Sequence, residues 1–334
     1  MKYLNSLNNS LFNLLSKNDD LFIIGQDIKD PYGGAFKVTK NLSKNFPNKV
    51  LNMPISESGI IGFATGLVLN KNKVISEIMF SDFLTLCSDQ IINHASKFNY
   101  VFGKKIIENL IIRTPSGAYR GYGPTHSQSM ESIFFNIPGL NIYSPNLFIE
   151  PGKLLEKIFF DLEGPTLFIE HKLLYPKELI FDTGIFKKIK MSNEFETLIC
   201  NPNYLANNEC LIISYGYLSE VCFKIIKDFL YDREKFLSLL VKSDLKNFVV
   251  NDVLEKLILK TKKVLIIEES YENNGWSSEI SYQIQSKFRG KNIEIFRLGN
   301  KNLPIPNSIN NEIENLPTYE KIEKELIKIL SENE

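Results

Sequence analysis

Cysteine and histidine are scarce in this sequence, and their spacing matches no common metal site. The 334 residues include three histidines and four cysteines, and no two cysteines form a Cys-x-x-Cys pair. Structural zinc sites draw their ligands from closely spaced Cys and His pairs, which this chain does not have. We therefore predict buried free thiols at Cys87, Cys200, Cys210 and Cys222.

An excess of one charge and a long apolar run are also absent. Thirty-nine basic residues balance thirty-nine acidic residues, which argues against a nucleic acid or a membrane surface as the partner. No apolar run approaches the roughly 20 residues of a membrane span, and residues 1–7 lack the features of a secretory signal. The sequence therefore predicts a cytoplasmic protein without nucleic-acid or membrane partners.

Nucleotide-binding fingerprints and the hydrolase nucleophile motif are missing as well. No Gly-x-Gly-x-x-Gly follows a predicted strand, and no phosphate loop ends in Gly-Lys-Ser or Gly-Lys-Thr. No Gly-x-Ser-x-Gly elbow offers a serine nucleophile. The usual dinucleotide, P-loop and α/β-hydrolase sites are therefore not expected.

Apolar strands alternate with amphipathic helices along most of the chain. This pattern predicts an α/β fold whose mainly parallel sheets are covered by helices on both faces. The alternation lapses near residues 173–208 and then resumes, which indicates two domains. We predict a first domain over residues 1–180, a linker over 181–207 and a second domain over 208–334. A long helix is expected over residues 82–98.

Glu57 is the most informative residue of the first half. It lies between a predicted strand near residues 49–53 and an apolar helix that contains Gly59, Gly62 and Gly66. A carboxylate at a helix start is favoured by the free backbone N–H groups there, so Ser56 or Glu57 could simply cap the helix. The alternative is a buried carboxylate that shares a proton with a ligand, with the glycines allowing close approach. The residues alone leave both interpretations open.

His126 is the histidine whose setting suggests catalysis. It follows a loop rich in Gly, Pro, Ser and Tyr over residues 114–125, and polar side chains surround it in the sequence. Loops on a rigid α/β scaffold commonly carry catalytic residues. His94 lies inside a predicted helix and His171 at a predicted strand end, so we interpret both as structural.

A set of ordered motifs resembles one enzyme family. The sequence is similar to the beta subunit of thiamine-diphosphate-dependent 2-oxoacid dehydrogenases of the pyruvate dehydrogenase type. The similarity rests on residues 53–62 (MPISESGIIG), 77–83 (EIMFSDF), 88–95 (SDQIINHA), 113–117 (RTPSG), 126–129 (HSQS), 138–140 (PGL) and 170–175 (EHKLLY). It extends more weakly to Glu268-Glu269 and Gly275-Trp276. The resemblance implies a transketolase-like pyrimidine-binding domain followed by a transketolase C-terminal-like domain.

The resemblance also implies roles for five residues. Glu57 matches the carboxylate that hydrogen-bonds a pyrimidine nitrogen of the cofactor, Phe83 an aromatic residue that stacks on the pyrimidine, and Met79 its apolar neighbour. His126 matches a histidine that faces the thiazolium ring and handles protons or orients substrate and lipoyl group. Asp161 falls where the family surrounds a structural potassium ion with oxygen atoms.

Part of the family's active site is missing from this chain. The family holds Mg²⁺ and the diphosphate with a Gly-Asp-Gly segment, and no Gly-Asp-Gly occurs here. The resemblance therefore implies an alpha subunit that holds the metal and the diphosphate. It also implies a heterotetramer of two alpha and two beta subunits and docking to a lipoyl acyltransferase core.

Three departures from the family pattern bear on details of the site. Gln26 stands where the family usually has Glu, which weakens any proton relay between active sites through that acid. Ser243-Asp244-Leu245-Lys246 replaces Asp-Leu-Arg-Thr, and Asn274 and Ser277 replace glycines. The last two lie in the second half, so they concern assembly more than cofactor activation.

The function that the resemblance implies is decarboxylation of a 2-oxoacid, pyruvate or a branched-chain acid, followed by acyl transfer to a lipoyl carrier. One alternative is a related thiamine-diphosphate subunit outside the large complexes that acts on a specialised 2-oxoacid. Another is a non-catalytic assembly subunit, although a buried acid beside an apolar helix is unnecessary in a scaffold.

Overall fold

The computed structural model describes residues 1–191, 196–205 and 207–331 and divides the chain into two compact units. The first unit contains residues 1–117 and 125–179, and the second contains residues 118–124 and 180–334. Each unit holds one six-stranded sheet. The predicted fold class, two mainly parallel sheets flanked by helices, is confirmed.

The first unit alternates strands and helices, as the apolar pattern predicts. Its elements are α1 (Tyr3–Lys17), β1 (Leu21–Gly25), α2 (Leu42–Asn45), β2 (Val50–Asn52), α3 (Glu57–Leu69), β3 (Lys73–Glu77), α4 (Phe98–Val101), β4 (Leu110–Ser116), β5 (Asn141–Tyr143), α5 (Pro151–Asp161) and β6 (Thr166–His171).

The first sheet is parallel throughout, in the order β2-β1-β3-β4-β6-β5. Every residue of β4 and β6 is buried, as expected for central strands covered on both faces. Ser10 Oγ on α1 donates a 2.9 Å hydrogen bond to the carbonyl oxygen of Gly152 on α5. A Cβ at Gly152 would lie 2.3 Å from the Ser6 carbonyl oxygen, so only glycine allows this close helix contact.

The helix predicted over residues 82–98 differs in geometry from a single α-helix. Residues 81–87 form a tight 3₁₀ segment, residues 90–95 form a wide π segment, and α4 follows separately. Asp82 Oδ1 accepts hydrogen bonds from the main chain and the side chain of Gln128, which ties the first turn to another loop. Departures of this kind from α geometry are frequent at functional sites.

The second unit repeats the α/β alternation with a mixed sheet. Its elements are β7 (Lys187–Lys190), β8 (Thr197–Cys200), β9 (Cys210–Tyr215), α6 (Leu218–Arg233), β10 (Leu237–Lys242), α7 (Asp252–Thr261), β11 (Lys263–Tyr271), α8 (Trp276–Lys287), β12 (Glu294–Asn300), α9 (Ile309–Asn315) and α10 (Tyr319–Ser331). The sheet order is β12-β11-β9-β10-β8-β7, and β7 and β8 pair antiparallel.

The stretch 181–207, predicted as a linker, contains β7 and β8 of the second sheet. Residues 192–195 and 206 of that stretch lie outside the described residues. The antiparallel pair is short, and its polar, lysine-containing strand β7 sits at the sheet edge, where charged residues are common. A search for apolar runs does not find β7 because it is polar, and β8 is apolar but only four residues long.

Among the described residues, no helix combines the length and the apolar character needed to cross a membrane.

The four thiols are buried and free, as predicted. Burial is the main cause that raises the pKa of Cys87, Cys210 and Cys222 from the usual 9.0 to about 12. We expect the native protein at pH 8 to react with a thiol reagent such as Ellman's reagent only after unfolding. The reagent cannot reach the buried sulfur atoms, and the thiols are protonated rather than in the reactive thiolate form. A thiol that reacts rapidly in the folded protein would contradict this prediction.

The raised pKa values of these thiols also predict how the stability of the protein depends on pH. A group whose folded pKa is raised contributes stability that is present below its unfolded pKa and is lost as the pH rises toward the folded value. The free energy of unfolding should therefore fall between pH 9 and about 12, which urea titrations at successive pH values would measure.

Candidate active site

The candidate site lies at the carboxyl ends of the strands of the first sheet. Ligands of open α/β sheets commonly bind at this edge. The segment after β3 carries Met79, Phe80 and Phe83, and the segment after β6 carries Lys172. Because β3, β4 and β6 are parallel neighbours, their following loops meet at one edge.

His126 packs against two phenylalanine rings at this edge. Its imidazole lies edge-on to Phe80, with ring centroids 4.9 Å apart, and to Phe83, with centroids 5.2 Å apart. Phe80 and Phe83 also contact each other at 5.8 Å. The structure therefore brings together two of the sequence-predicted site residues, Phe83 and His126, and adds Phe80.

Polar groups fix the turn that carries His126. Lys172 Nζ donates a hydrogen bond to the main-chain oxygen of His126, and the hydroxyl of Thr125 lies 2.9 Å from His126 Nδ1. Two residues further on, the carbonyl of Gln128 accepts a 2.8 Å bond from Ser81 Oγ. The turn is thus held at several points, while the half-buried imidazole stays partly accessible.

Glu57 is the first residue of α3, and its side chain is 8% exposed. Ser56 is the N-cap residue, since its hydroxyl accepts a hydrogen bond from the Gly59 N–H. Within the part of the chain that the structure describes, no side-chain hydrogen bond or ion pair occupies the Glu57 carboxylate. Burying a carboxylate is costly unless hydrogen bonds compensate. Ser56 rather than Glu57 supplies the side-chain cap, and Glu57 stands in the first turn, where the helix dipole favours a negative charge.

Cys87 links Glu57 to the aromatic residues. Burial and then the nearby Glu57 carboxylate raise the pKa of the Cys87 thiol to about 12. The same sulfur lies 3.8 Å from the carbonyl oxygen of Phe83, to which it donates. Glu57 thus lies near the end of the 3₁₀ segment that carries Phe83.

Met79 and Asp161 have different surroundings. Met79 is half-buried in the bend between β3 and Phe80. Asp161 is the exposed last residue of α5, and its carboxylate pairs with Lys157 at 2.6 Å. Among the described residues, no group of three or more His, Cys, Asp or Glu side chains is arranged to hold a metal ion.

A buried charge cluster is connected to these aromatic rings by a chain of contacts. Arg113 on β4 binds Glu77 at 2.9 Å and binds Glu170 through Nε at 2.6 Å and through a second nitrogen at 2.8 Å. The hydroxyl of Tyr175 donates a 2.8 Å bond to the same Glu170. The Tyr175 ring stacks on Phe36 at 5.0 Å, and Phe36 contacts Phe80 at 6.1 Å. This chain of contacts connects the charge cluster to the ring beside His126.

Burial and electrostatics oppose each other in this cluster. Burial disfavours the charge on Arg113, but Glu170 and Glu77 outweigh burial and raise the pKa of the guanidinium. Burial raises the pKa of the Glu77 carboxyl, and Arg113 opposes that rise. Burial and then Glu170 raise the pKa of Tyr175, which keeps its hydroxyl protonated as a donor. Arg113 is thus the positive charge on which both carboxylates depend.

The other two histidines have local partners. His171 Nδ1 accepts a hydrogen bond from the Leu173 N–H, and its ring lies against Gly117, where a Cβ would come within 2.1 Å of Nε2. Gly117 also has a φ of +94°, so glycine is required there twice over. His94 packs on Phe98 at 5.6 Å.

Residues 118–124 leave the first unit and fold as part of the second. The N–H of Ala118 donates to Glu269 at 2.6 Å. The two oxygens of Glu312 accept from the N–H groups of Tyr119 at 3.0 Å and of Gly121 at 2.6 Å. The chain then returns to the first unit at Thr125, one residue before His126.

Comparisons with known proteins agree with this architecture. The family described as "Transketolase, pyrimidine binding domain" matches residues 1–178. A split-gene transketolase, solved as an inactive beta4 tetramer, superposes with a TM-score of 0.77 and 16% identity over 99% of both chains. That likeness shows the fold.

Three curated relatives are informative. The mitochondrial 2-oxoisovalerate dehydrogenase subunit beta of Dictyostelium discoideum is 30% identical over 293 residues, 86% of this chain and 75% of the relative. The pyruvate dehydrogenase E1 component subunit beta of Gracilaria tenuistipitata var. liui is 29% identical over 298 residues, 87% of each chain. The acetoin:2,6-dichlorophenolindophenol oxidoreductase subunit beta of Cupriavidus necator is 34% identical over 182 residues, 52% of this chain and 54% of the relative.

Proposed function

We propose that this chain, which belongs to the family of 2-oxoacid dehydrogenase beta subunits, forms the pyrimidine-binding half of a thiamine-diphosphate site. The observation that carries the proposal is the buried Glu57 carboxylate without a partner at the start of α3. A ring nitrogen that shares a proton would complete its hydrogen bonding. Phe83 offers an aromatic face nearby, with Met79 as an apolar neighbour.

Glu57 and His126 have separate tasks in the proposed site. Bound thiamine diphosphate supplies a nucleophilic carbon for the 2-oxo group, which permits loss of carbon dioxide. Glu57 holds a proton against the pyrimidine nitrogen and so sets the protonation state of the ring. His126, held in the turn after Thr125, moves protons at the reacting end and orients the substrate or the incoming lipoyl group.

An alpha subunit is proposed as the partner that completes the site. Its support in this sequence is the missing Gly-Asp-Gly segment, so the partner would hold Mg²⁺ and the diphosphate. The exposed face of α3 offers a surface for close packing, because Gly62 and Gly66 are exposed there beside Phe63, which is 45% exposed. We propose a heterotetramer of two alpha and two beta subunits.

Three finer assignments stay proposals. Docking to a lipoyl acyltransferase core and a structural potassium ion near Asp161 rest on the resemblance, whereas a cytoplasmic location rests on the lack of a long apolar run in the sequence. The Dictyostelium relative is named as mitochondrial, so the location needs a direct measurement by fractionation.

The function is tested by co-expressing this chain with the alpha-type chain of the same source that contains a Gly-Asp-Gly segment. We expect thiamine diphosphate with Mg²⁺ to bind tightly to the mixed complex only. We also expect carbon dioxide release from pyruvate or a branched-chain 2-oxoacid and acylation of a lipoyl domain. Absence of cofactor binding in every pairing would refute the proposal and would favour a non-catalytic assembly subunit.

A second candidate function is favoured by the similarity to the acetoin:2,6-dichlorophenolindophenol oxidoreductase subunit beta, which is 34% identical over 52% of this chain. In that case the complex would act outside the large dehydrogenase assemblies. Turnover with dichlorophenolindophenol, combined with no acylation of any lipoyl domain, would support this second function over the first.

A further inference from the structure

Lys172 is a buried cation at the centre of the candidate site. It follows the last residue of β6, and none of its side chain is exposed. Burying an ammonium group is costly unless hydrogen bonds compensate. One of its hydrogen bonds goes to the main-chain oxygen of His126. The sheet thereby holds the His126 turn through a single charged side chain.

The same ammonium group also lies over the ring that supports the imidazole. Lys172 Nζ is 5.1 Å from the centroid of the Phe80 ring, a distance at which a cation is attracted to an aromatic face. The Phe80 ring in turn lies 4.9 Å from the His126 ring. Lys172 therefore contacts the backbone of His126 and the ring against which its imidazole packs.

We propose that Lys172 is a positioning residue that sets the orientation of His126. It acts through the main-chain oxygen of His126 and through Phe80, and it takes no part in proton transfer itself. The inference rests on the proposed role of His126. Charge-assisted hydrogen bonds such as this one are stronger than neutral ones, so this contact can fix the partly exposed turn against a rigid strand end.

The chain offers a matched control in Lys263, the first residue of β11 in the second unit. Lys263 is 5% exposed, and its Nζ also donates to a main-chain oxygen, that of Ile329. Lys172→Met and Lys263→Met therefore remove the same chemical group and the same kind of bond. They differ in whether the bond leads to His126.

The experiment measures kcat, KM and thiamine-diphosphate affinity in the complex reconstituted with the alpha subunit. We expect Lys172→Met to lower kcat by about 10- to 100-fold, because small displacements of a catalytic group cost this much. The cofactor affinity should change less than about twofold, since Glu57 and Phe83 are retained. Lys263→Met should keep kcat within about twofold of the unchanged complex. If Lys172→Met does not fold, Lys172→Gln, which keeps an amide donor, replaces it.

The double variant Lys172→Met/His126→Ala identifies the route of the effect. If Lys172 acts through His126, the double variant should be no slower than His126→Ala alone. A further tenfold loss in the double variant, or an equal loss of kcat in Lys263→Met, would overturn the inference. So would an unchanged kcat in Lys172→Met when His126→Ala is impaired. Full turnover by His126→Ala would instead remove the proposed role of His126, and this inference with it.

Discussion

Glu57→Gln is expected to lower cofactor-dependent turnover of the reconstituted complex by about 10²- to 10⁴-fold, the usual contribution of a positioned acid or base. The amide keeps the size of the side chain but cannot share a proton with a pyrimidine nitrogen as a carboxylate does. The fold should survive, because the Glu57 carboxylate has no hydrogen bond or ion pair among the described residues. Steady-state decarboxylation with saturating thiamine diphosphate measures the effect.

The neighbouring Ser56 supplies the control. Ser56→Ala removes the hydroxyl that caps α3 and should lower the free energy of unfolding by about 1 kcal/mol. It should leave turnover within about twofold of the unchanged complex. If Glu57→Gln or Glu57→Ala kept full activity, the proposed mechanism would have to be abandoned.

Arg113→Met is expected to lower the free energy of unfolding by about 3–5 kcal/mol, the cost of removing one partner from a buried ion pair. The substitution leaves Glu77 and Glu170 buried together without their shared positive charge. Urea denaturation followed by circular dichroism measures this loss of stability. We expect the loss to concern the first unit, which contains Arg113.

An exposed ion pair provides the comparison. Lys105 and Glu163 are 2.5 Å apart, but their side chains are 66% and 62% exposed. Because water screens such pairs, Lys105→Met should change stability by no more than about 1 kcal/mol. A similar small change in Arg113→Met would show that the buried cluster does not support the first unit.

The spacing of apolar residues predicts most of the elements. A long apolar pattern fits either a helix with one buried face or a strand with one or two buried faces, and so identifies the kind of element. The apolar pattern predicts a strand over residues 21–24 and helices over 150–161 and 218–230. The structure has β1 at Leu21–Gly25, α5 at Pro151–Asp161 and α6 at Leu218–Arg233. The apolar pattern does not predict β7 and β8, which lie in the stretch 181–207, or the helices α7 and α9. β7, β8 and α9 are too short or too polar to show a long apolar pattern. In α7, Leu254, Leu257 and Ile258 form one buried face.

The buried charges could not be predicted from the pattern of residue types. The loop predicted over residues 114–125 would end the preceding strand at Arg113, yet β4 continues to Ser116. Register explains how the charge is tolerated, since Glu77 is the direct neighbour of Arg113 on β3. Glu170 lies two residues beyond Phe168, the neighbour of Arg113 on β6, and so on the same face. Such pairings depend on strand order, which one sequence does not reveal.

The sequence motifs predict the candidate site residues individually, but they do not predict the residues that hold them in place. Glu57, Phe83 and His126 carried a signal through the motifs around them. Lys172 stood inside the quoted motif EHKLLY, but its contact with His126 joins residues 46 positions apart. A lysine in a sequence is expected to be exposed, so only the fold identifies this one as an internal support.

The excursion of residues 118–124 into the second unit limits how this protein can be divided. A fragment that ended at Leu179 would contain Tyr119 and Gly121 without the Glu312 carboxylate that binds their N–H groups. A fragment that began at Ile180 would contain Glu312 without those donors. No single cut in the chain therefore yields two self-sufficient polypeptides. Gene fission or domain exchange between Leu179 and Ile180 would therefore leave the buried Glu312 carboxylate without its donors in the second fragment. The turn before His126 would lack its support in the first fragment.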